Sequence, residues 1–242
     1  MAEDVLPILF EDNHFIAIDK PAGLLVHRTK LNAAESRFAL QMVRDQVGYR
    51  VYPVHRLDKP TSGVLLFGKD PDSARLFSDL IQDRALVKTY TAIVRGWVPA
   101  QDRIDYALKE IQDKTTDSKA QKDKPPQDAV TDYTLLAKAE VAHAVGRYAT
   151  ARYSLVEVVP LTGRKNQIRR HFKHIFHPIV GDRKFGDRDH NAFFRTHLES
   201  DRLLLTATGL GFIHPYSSEP IQIRTHTGFA KAALDLFPKS VD

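Results

Sequence analysis

Apolar positions along this chain switch between a period of two and a period of about 3.6, and each switch marks an element. Pro7-Ile8-Leu9-Phe10 and Phe15-Ile16-Ala17-Ile18 flank the polar Glu11-Asp12-Asn13-His14, which predicts a β-hairpin. From Glu35 to Val47 the apolar Phe38, Leu40, Met42, Val43 and Val47 predict a helix closed by Gly48. The unbroken run Gly63 to Phe67 reads as a core strand. Asp70 then stands as an N-cap and Pro71 as first helical residue, so a helix should run to Arg84 and bury Ala74, Phe77, Leu80 and Ile81. A strand from Val87 to Val94 follows. Further strands are expected around Thr131 to Leu136, Ala149 to Val159 and Leu203 to Ile213, with a short helix from Gly228 to Phe237. Strand, helix, strand at this spacing predicts a sheet with helices on at least one face.

Lys109 to Asp128 breaks the pattern. Five lysines balance five acids there, Pro125-Pro126 stiffens the end, and Ile111 and Ala120 are its apolar residues, which predicts a mobile surface insertion within a single domain spanning residues 1–242. The remaining composition, 43% hydrophobic in 242 residues, is enough for a real core. There is no cysteine, which excludes disulfides, thiolate nucleophiles and thiolate metal sites and fits a reducing cytoplasm. The start Met1-Ala2-Glu3-Asp4-Val5 lacks a basic leader, and no apolar run is long enough for a helical membrane span. A soluble cytoplasmic protein, monomeric by default, is expected.

The formal net charge of +5 says little until its distribution is read. Between Arg147 and Arg188 lie Arg152, Arg164, Lys165, Arg169, Arg170, Lys173, Arg183 and Lys184, interleaved with His171, His174 and His177. A polyanion such as RNA is the natural partner for such a stretch.

Candidate chemistry gathers in three places. His55-Arg56-Leu57-Asp58, followed by Lys59-Pro60-Thr61-Ser62-Gly63, sets a single carboxylate on a tight turn just before the apolar strand. Alone, Asp58 is better explained by a turn-capping role. In Thr162 to Phe172, helical spacing puts Ile168, Phe172, Ile175 and Phe176 on one face and Arg169 at its rim, with Arg170, Lys173 and His174 pointing away. A rim arginine can fold inward over a buried carboxylate while its neighbours meet phosphate. A metal site at His171, His174 and His177 is disfavoured, because a spacing of three drifts around the helix and no second ligand pair completes a shell. Tyr90 opens one face of the strand Lys88 to Arg95, where a core tyrosine is the ordinary reading.

Taken together, HRLDKPTSG around Asp58, KTYTAIVRG around Tyr90 and TGRKNQIRRHFKHIFHPIVGD around Arg169 resemble, in that order, the motifs of the RluA-type pseudouridine synthases. IDKPAGLLVH, Ile18 to His27, is similar to that family's N-terminal motif, and the likeness runs from about residue 7 to about residue 220. The resemblance implies an α+β fold with a mixed, mostly antiparallel sheet, flanking helices and two lobes around a central cleft. Because the chain begins almost directly at these motifs, the small basic N-terminal RNA-binding domain that many relatives carry is not expected here. The closest stretches of the resemblance point to the branch acting on tRNA at uridine 65.

For chemistry, the resemblance implies cleavage of a uridine's C1′–N1 bond, rotation of the freed uracil and rejoining through C5, without cofactor or metal. Asp58 matches the essential aspartate, Arg169 the arginine that pairs with it, and Tyr90 the tyrosine that stacks on the target base. Arg56 matches the residue that fills the gap left by the extruded nucleotide. His55, Thr61, Arg164, Lys165, Arg170 and Lys173 are expected to face RNA. Asn166 and Thr206 depart from the family pattern, where histidine is common at both places. Action on ribosomal RNA and a catalytically silent RNA-binding module are the competing readings. A glycoside hydrolase fits less well, since no second acid is placed to activate water.

Overall fold

In a computed structural model of the chain, which describes residues 5–28, 35–111, 124–226, 228–229 and 231–237, ten strands and five helices lie among the described residues. The chain divides into two compact units, one of residues 1–88 and 207–228, the other of residues 89–206 and 229–242.

In the first unit, β1 (Ile8–Glu11) and β2 (Phe15–Lys20) form the expected hairpin. β2 pairs antiparallel with β4 (Ser62–Gly68), Ile18 opposite Leu65, and β4 is buried along its whole length, as its unbroken apolar sequence requires. β3 (Tyr52–Pro53) also pairs with β4, and β10 (Pro220–Arg224) with β9 (Leu205–Ile213), both antiparallel. Gly63 holds a φ of 109°, and a Cβ there would lie 2.1 Å from the Ala207 carbonyl oxygen, so only glycine lets β4 approach β9 this closely. α2 (Pro71–Gln82) starts where expected: the Asp70 side chain accepts the Ser73 N–H at 2.8 Å, and Phe77 is buried against Phe15 and Phe212. α1 (Ala39–Val47) ends on Gly48 at φ 78° but is shorter than its apolar spacing suggests. Phe38 is extended there and bridges Leu25, and this pairing withholds the preceding residues from the helix.

In the second unit, β5 (Val87–Arg95), which enters it at Thr89, pairs antiparallel with β8 (Ala151–Pro160), and β8 pairs with β7 (Val130–Val141). An unforeseen strand, β6 (Gln101–Asp105), borders β7; of its residues only Ile104 is buried, the others being the charged and polar side chains common on a sheet edge. α3 (Gln167–His174) and α4 (Arg188–His197) complete the unit with the four-residue α5 (Lys231–Leu234), shorter than expected. Two apolar clusters hold it: one joins Phe193, Phe194 and Tyr153 to Phe229 and Phe237, the other joins Ala92, Val94 and Val156 to Ile168 and Phe172 of α3. Residues 112–123 of the expected insertion lie outside the described residues; at its base Leu108 and Gln127 exchange backbone hydrogen bonds of 2.8 and 3.0 Å. No described helix is long and apolar enough to cross a membrane.

Candidate active site

The turn carrying Asp58 lies between β3 and β4 and is fastened along its length. Leu57 is buried beside it, and the Thr61 N–H donates to the Asp58 carbonyl at 3.0 Å. The Lys59 carbonyl accepts the Gly23 N–H at 2.8 Å and the Lys20 ammonium at 3.3 Å. Lys20 is fully buried, and its Nζ also donates to the carbonyls of Pro21 at 2.9 Å and Leu24 at 2.8 Å, so a desolvated charge is met by backbone dipoles. Lys59 itself ion-pairs with Glu35. A turn tied at so many points presents the half-buried Asp58 with little backbone freedom.

His55 is turned into the fold. Its Nε2 accepts the Leu66 N–H of β4 at 3.0 Å, so the ring is neutral with its proton on Nδ1. Burial, assisted by the nearby Lys88 charge, pushes its pKa down to about 3. His55 is half-buried and Thr61 buried, whereas Arg56 is exposed. The same burial effect lowers the pKa of His171 and His190 in the second unit. These imidazoles stay neutral when folded but charge at ordinary histidine pH when unfolded, so stability should be whole above about pH 6.5 and decline as the pH falls toward 3. Urea midpoints measured from pH 7 to pH 4 should therefore drop, and His55→Gln should flatten the curve; a wild-type profile level over this range would refute the assignment.

In the second unit, Tyr90 is half-buried opposite Val158 and packs against the same apolar cluster as α3. α3 is anchored at its first residue by a side chain that a polar sequence would not single out. The buried Gln167 amide accepts from Thr162 Oγ1 at 2.7 Å and from the Arg164 N–H at 2.9 Å, and donates to the Val130 carbonyl and to Thr131 Oγ1, each at 2.9 Å. Ile168 and Phe172, four residues apart, bury the expected face. Phe176 departs from it: the helix has ended, its backbone is at φ 64°, and its side chain is 80% exposed.

Arg169 is 7% exposed and grips Asp182, 2% exposed, with both edges of its fork: Nε to Oδ2 at 2.7 Å and Nη2 to Oδ1 at 2.8 Å. Nη1 donates to Asn166 Oδ1 at 2.9 Å, which gives a local task to one of the positions that departs from the family pattern. Asp182 Oδ1 also accepts the N–H groups of Lys184 and Phe185 at 2.9 Å, and the Phe185 ring lies 5.1 Å from the guanidinium carbon. Asn191 of α4 closes the arrangement, its Oδ1 accepting the Gly181 N–H at 2.7 Å and its Nδ2 donating to the Asp182 carbonyl at 3.0 Å. Asp182 and Asn191 were not foreseen from the sequence. The signal was Asp182 itself, an acid inside the motif HPIVGD and amid basic residues.

The outer residues of this segment behave as a cationic face. Arg164, Lys165 and Lys173 are exposed and Arg170 is half-buried; Arg164 Nε donates to the Asp128 carbonyl at 3.1 Å and Lys165 Nζ to the Ile111 carbonyl at 3.4 Å. The histidines serve separate packing tasks. His171 is buried, with Nδ1 2.9 Å from Thr131 Oγ1 and Nε2 3.1 Å from the Tyr106 carbonyl, while His174 stacks on Tyr106 and His177 Nδ1 meets the Arg95 carbonyl at 2.8 Å. Among the described residues no group of three or more His, Cys, Asp or Glu could hold a metal ion.

Known proteins give this arrangement a context. A tRNA pseudouridine synthase C of Pasteurella multocida is 50% identical over 218 residues, covering 90% of this chain and 90% of its own. One of Vibrio cholerae is 48% identical over 220 residues, with 91% and 90% covered. Among solved structures, Human RNA Pseudouridylate Synthase Domain Containing 4 matches with a TM-score of 0.70 and 25% identity over 95% of this chain and 92% of that one. Human RNA Pseudouridylate Synthase Domain Containing 1, at 22% identity and covering 93% and 85%, matches the fold with a TM-score of 0.71. A family model described as RNA pseudouridylate synthase matches residues 14–174, a span that contains Asp58, Tyr90 and Arg169. With that match over most of its length and half-identical relatives across nine tenths of it, the chain belongs to the RNA pseudouridylate synthase family.

Proposed function

We propose that this protein isomerises one uridine of tRNA, uridine 65, to pseudouridine, with Asp58 as the reacting carboxylate and residues 1–242 working as one catalytic domain, monomeric and cytoplasmic. The observation that carries the reading is the immobilised turn around Asp58, held by Lys20, Gly23, Leu57 and Thr61. The half-identical relatives named for tRNA favour tRNA over ribosomal RNA.

The chemistry suits a lone acid. The C1′–N1 bond breaks, the uracil turns, a C1′–C5 bond forms, the C5 proton leaves and N1 ends protonated, so nothing enters or leaves overall. One ionised carboxylate stabilises charge developing on the ribose, whereas a second acid would serve to activate water and lose the base. In this scheme Tyr90 stacks on the target base. Arg169, fixed in orientation by Asp182, is the third member of the proposed catalytic set. The uridine must first leave its stem, at a cost of a few kcal/mol. Arg56, exposed on the Asp58 turn, would fill the gap, and Arg164, Lys165, Arg170 and Lys173 would hold phosphates. His55 and Thr61 contribute by fixing the turn's shape.

Pseudouridine maps of tRNA and ribosomal RNA from cells with and without the gene test this reading. The expected change is loss of one tRNA pseudouridine with the ribosomal map unaltered. A loss confined to ribosomal RNA overturns the substrate, and no loss in either overturns the activity.

A further inference from the structure

Phe176 breaks two local rules at once. Its side chain is 80% exposed, so an aromatic ring is left in water, and its φ of 64° is a conformation that glycine adopts freely and an aromatic residue only at a cost. The backbone has a use for that conformation: the Phe176 N–H donates to the Lys173 carbonyl at 3.1 Å and the His177 N–H to the Phe172 carbonyl at 2.9 Å, closing the end of α3. Glycine would close it as well. The ring gains no burial in exchange, and a residue that costs stability twice without an internal return points outward.

Its surroundings say toward what. Lys173 and His174, just before it, are exposed; His174 lies flat on Tyr106, ring centroids 3.6 Å apart at 16°, and Tyr106 is itself 44% exposed. Arg170, half-buried, stands one helical turn before His174. This end of α3 therefore offers flat rings beside cations, the combination that takes a nucleobase on its face and the adjoining phosphate on a charge.

We infer that Phe176 is a nucleobase-stacking residue, receiving an unstacked nucleotide of the RNA substrate while Lys173 meets its phosphate; the inference rests on the tRNA reading above. Base stacking is insensitive to salt and phosphate contact is not, so the two contributions separate in a salt titration. The decisive variant is Phe176→Gly, which relieves the backbone and should fold at least as well as the parent. Its Kd for the tRNA substrate should rise about tenfold at every salt concentration, with the slope of log Kd against log salt unchanged. Phe176→Tyr should restore parental affinity. Lys173→Ala, by contrast, should flatten the slope by a little under one.

A Phe176→Gly Kd within twofold of the parent overturns the inference, as does a parental dimer that this variant converts to monomer with no change in RNA affinity, which would assign the ring to self-association. Pseudouridine formation by the unaltered protein in the same tRNA is scored separately. Activity there with no effect of Phe176→Gly sinks the stacking role alone, while no activity there sinks the tRNA reading.

Discussion

Asp58→Asn should abolish pseudouridine formation, lowering the single-turnover rate by on the order of 10⁴-fold or more, the scale on which losing a nucleophile slows an enzyme. The exchange keeps the side chain's size and the turn's backbone hydrogen bonds, in which the Thr61 N–H binds the Asp58 backbone carbonyl and Lys20 and Gly23 bind that of Lys59. What disappears is the charge. Affinity for tRNA should accordingly stay within a few-fold of the parent, because in the proposed reading binding rests on phosphate contacts by the basic residues of the α3 segment. Gel-shift and single-turnover measurements on one preparation read both quantities. A variant that still isomerises at a tenth of the parental rate would remove Asp58 from the chemistry, and a variant that neither binds nor folds would make the residue structural.

Asp182→Ala should be the most destabilising of the substitutions considered, costing about 3–5 kcal/mol, because it removes the carboxylate paired with the buried Arg169 guanidinium. For a chain of this size that corresponds to a fall in melting temperature of roughly 10 °C. The converse change is milder. In Arg169→Met the carboxylate of Asp182 keeps the Lys184 and Phe185 N–H groups, so its charge remains hydrogen-bonded. The pair therefore separates stability from chemistry: Asp182→Ala should lose more stability, while Arg169→Met should lose activity at temperatures where it is still folded. Thermal unfolding beside turnover decides this. An Asp182→Ala protein melting with the parent would contradict the buried ion pair, and equal destabilisation by both would contradict the asymmetry between its partners.

The sequence was informative wherever a local rule and the tertiary structure ask for the same residue. β4 is legible because a strand buried along its length needs an unbroken apolar run, and α2 because Asp70 and Pro71 satisfy the N-terminal requirements of a helix by themselves. The Asp58 turn is legible for the same reason, its Pro60 and Gly63 being turn and close-approach residues. Elements that depend on distant partners were missed. β6 places one buried side chain among charged ones, and α4 buries only Phe193 and Phe194 in an otherwise polar segment, so neither shows a clean period. Asp182 carries the same lesson at the site. Nothing adjacent to it marks it as the partner of Arg169, thirteen residues earlier, and only the loop geometry set by Asn191 makes it one. Phe176 misled in the opposite direction, since its spacing from Ile168 and Phe172 fits an apolar face that the helix does not extend far enough to include.

The central claim is that one carboxylate on a pinned turn rearranges a nucleoside bond without help from a second acid. The measurement that bears on it most directly is a nucleotide-resolution pseudouridine map of unmodified tRNA transcript incubated with purified protein, parent and Asp58→Asn side by side. The account predicts a single new pseudouridine, at position 65, with the parent and none with the variant. Pseudouridine formed equally by both proteins, or by neither under conditions where the parent binds the transcript, would contradict it.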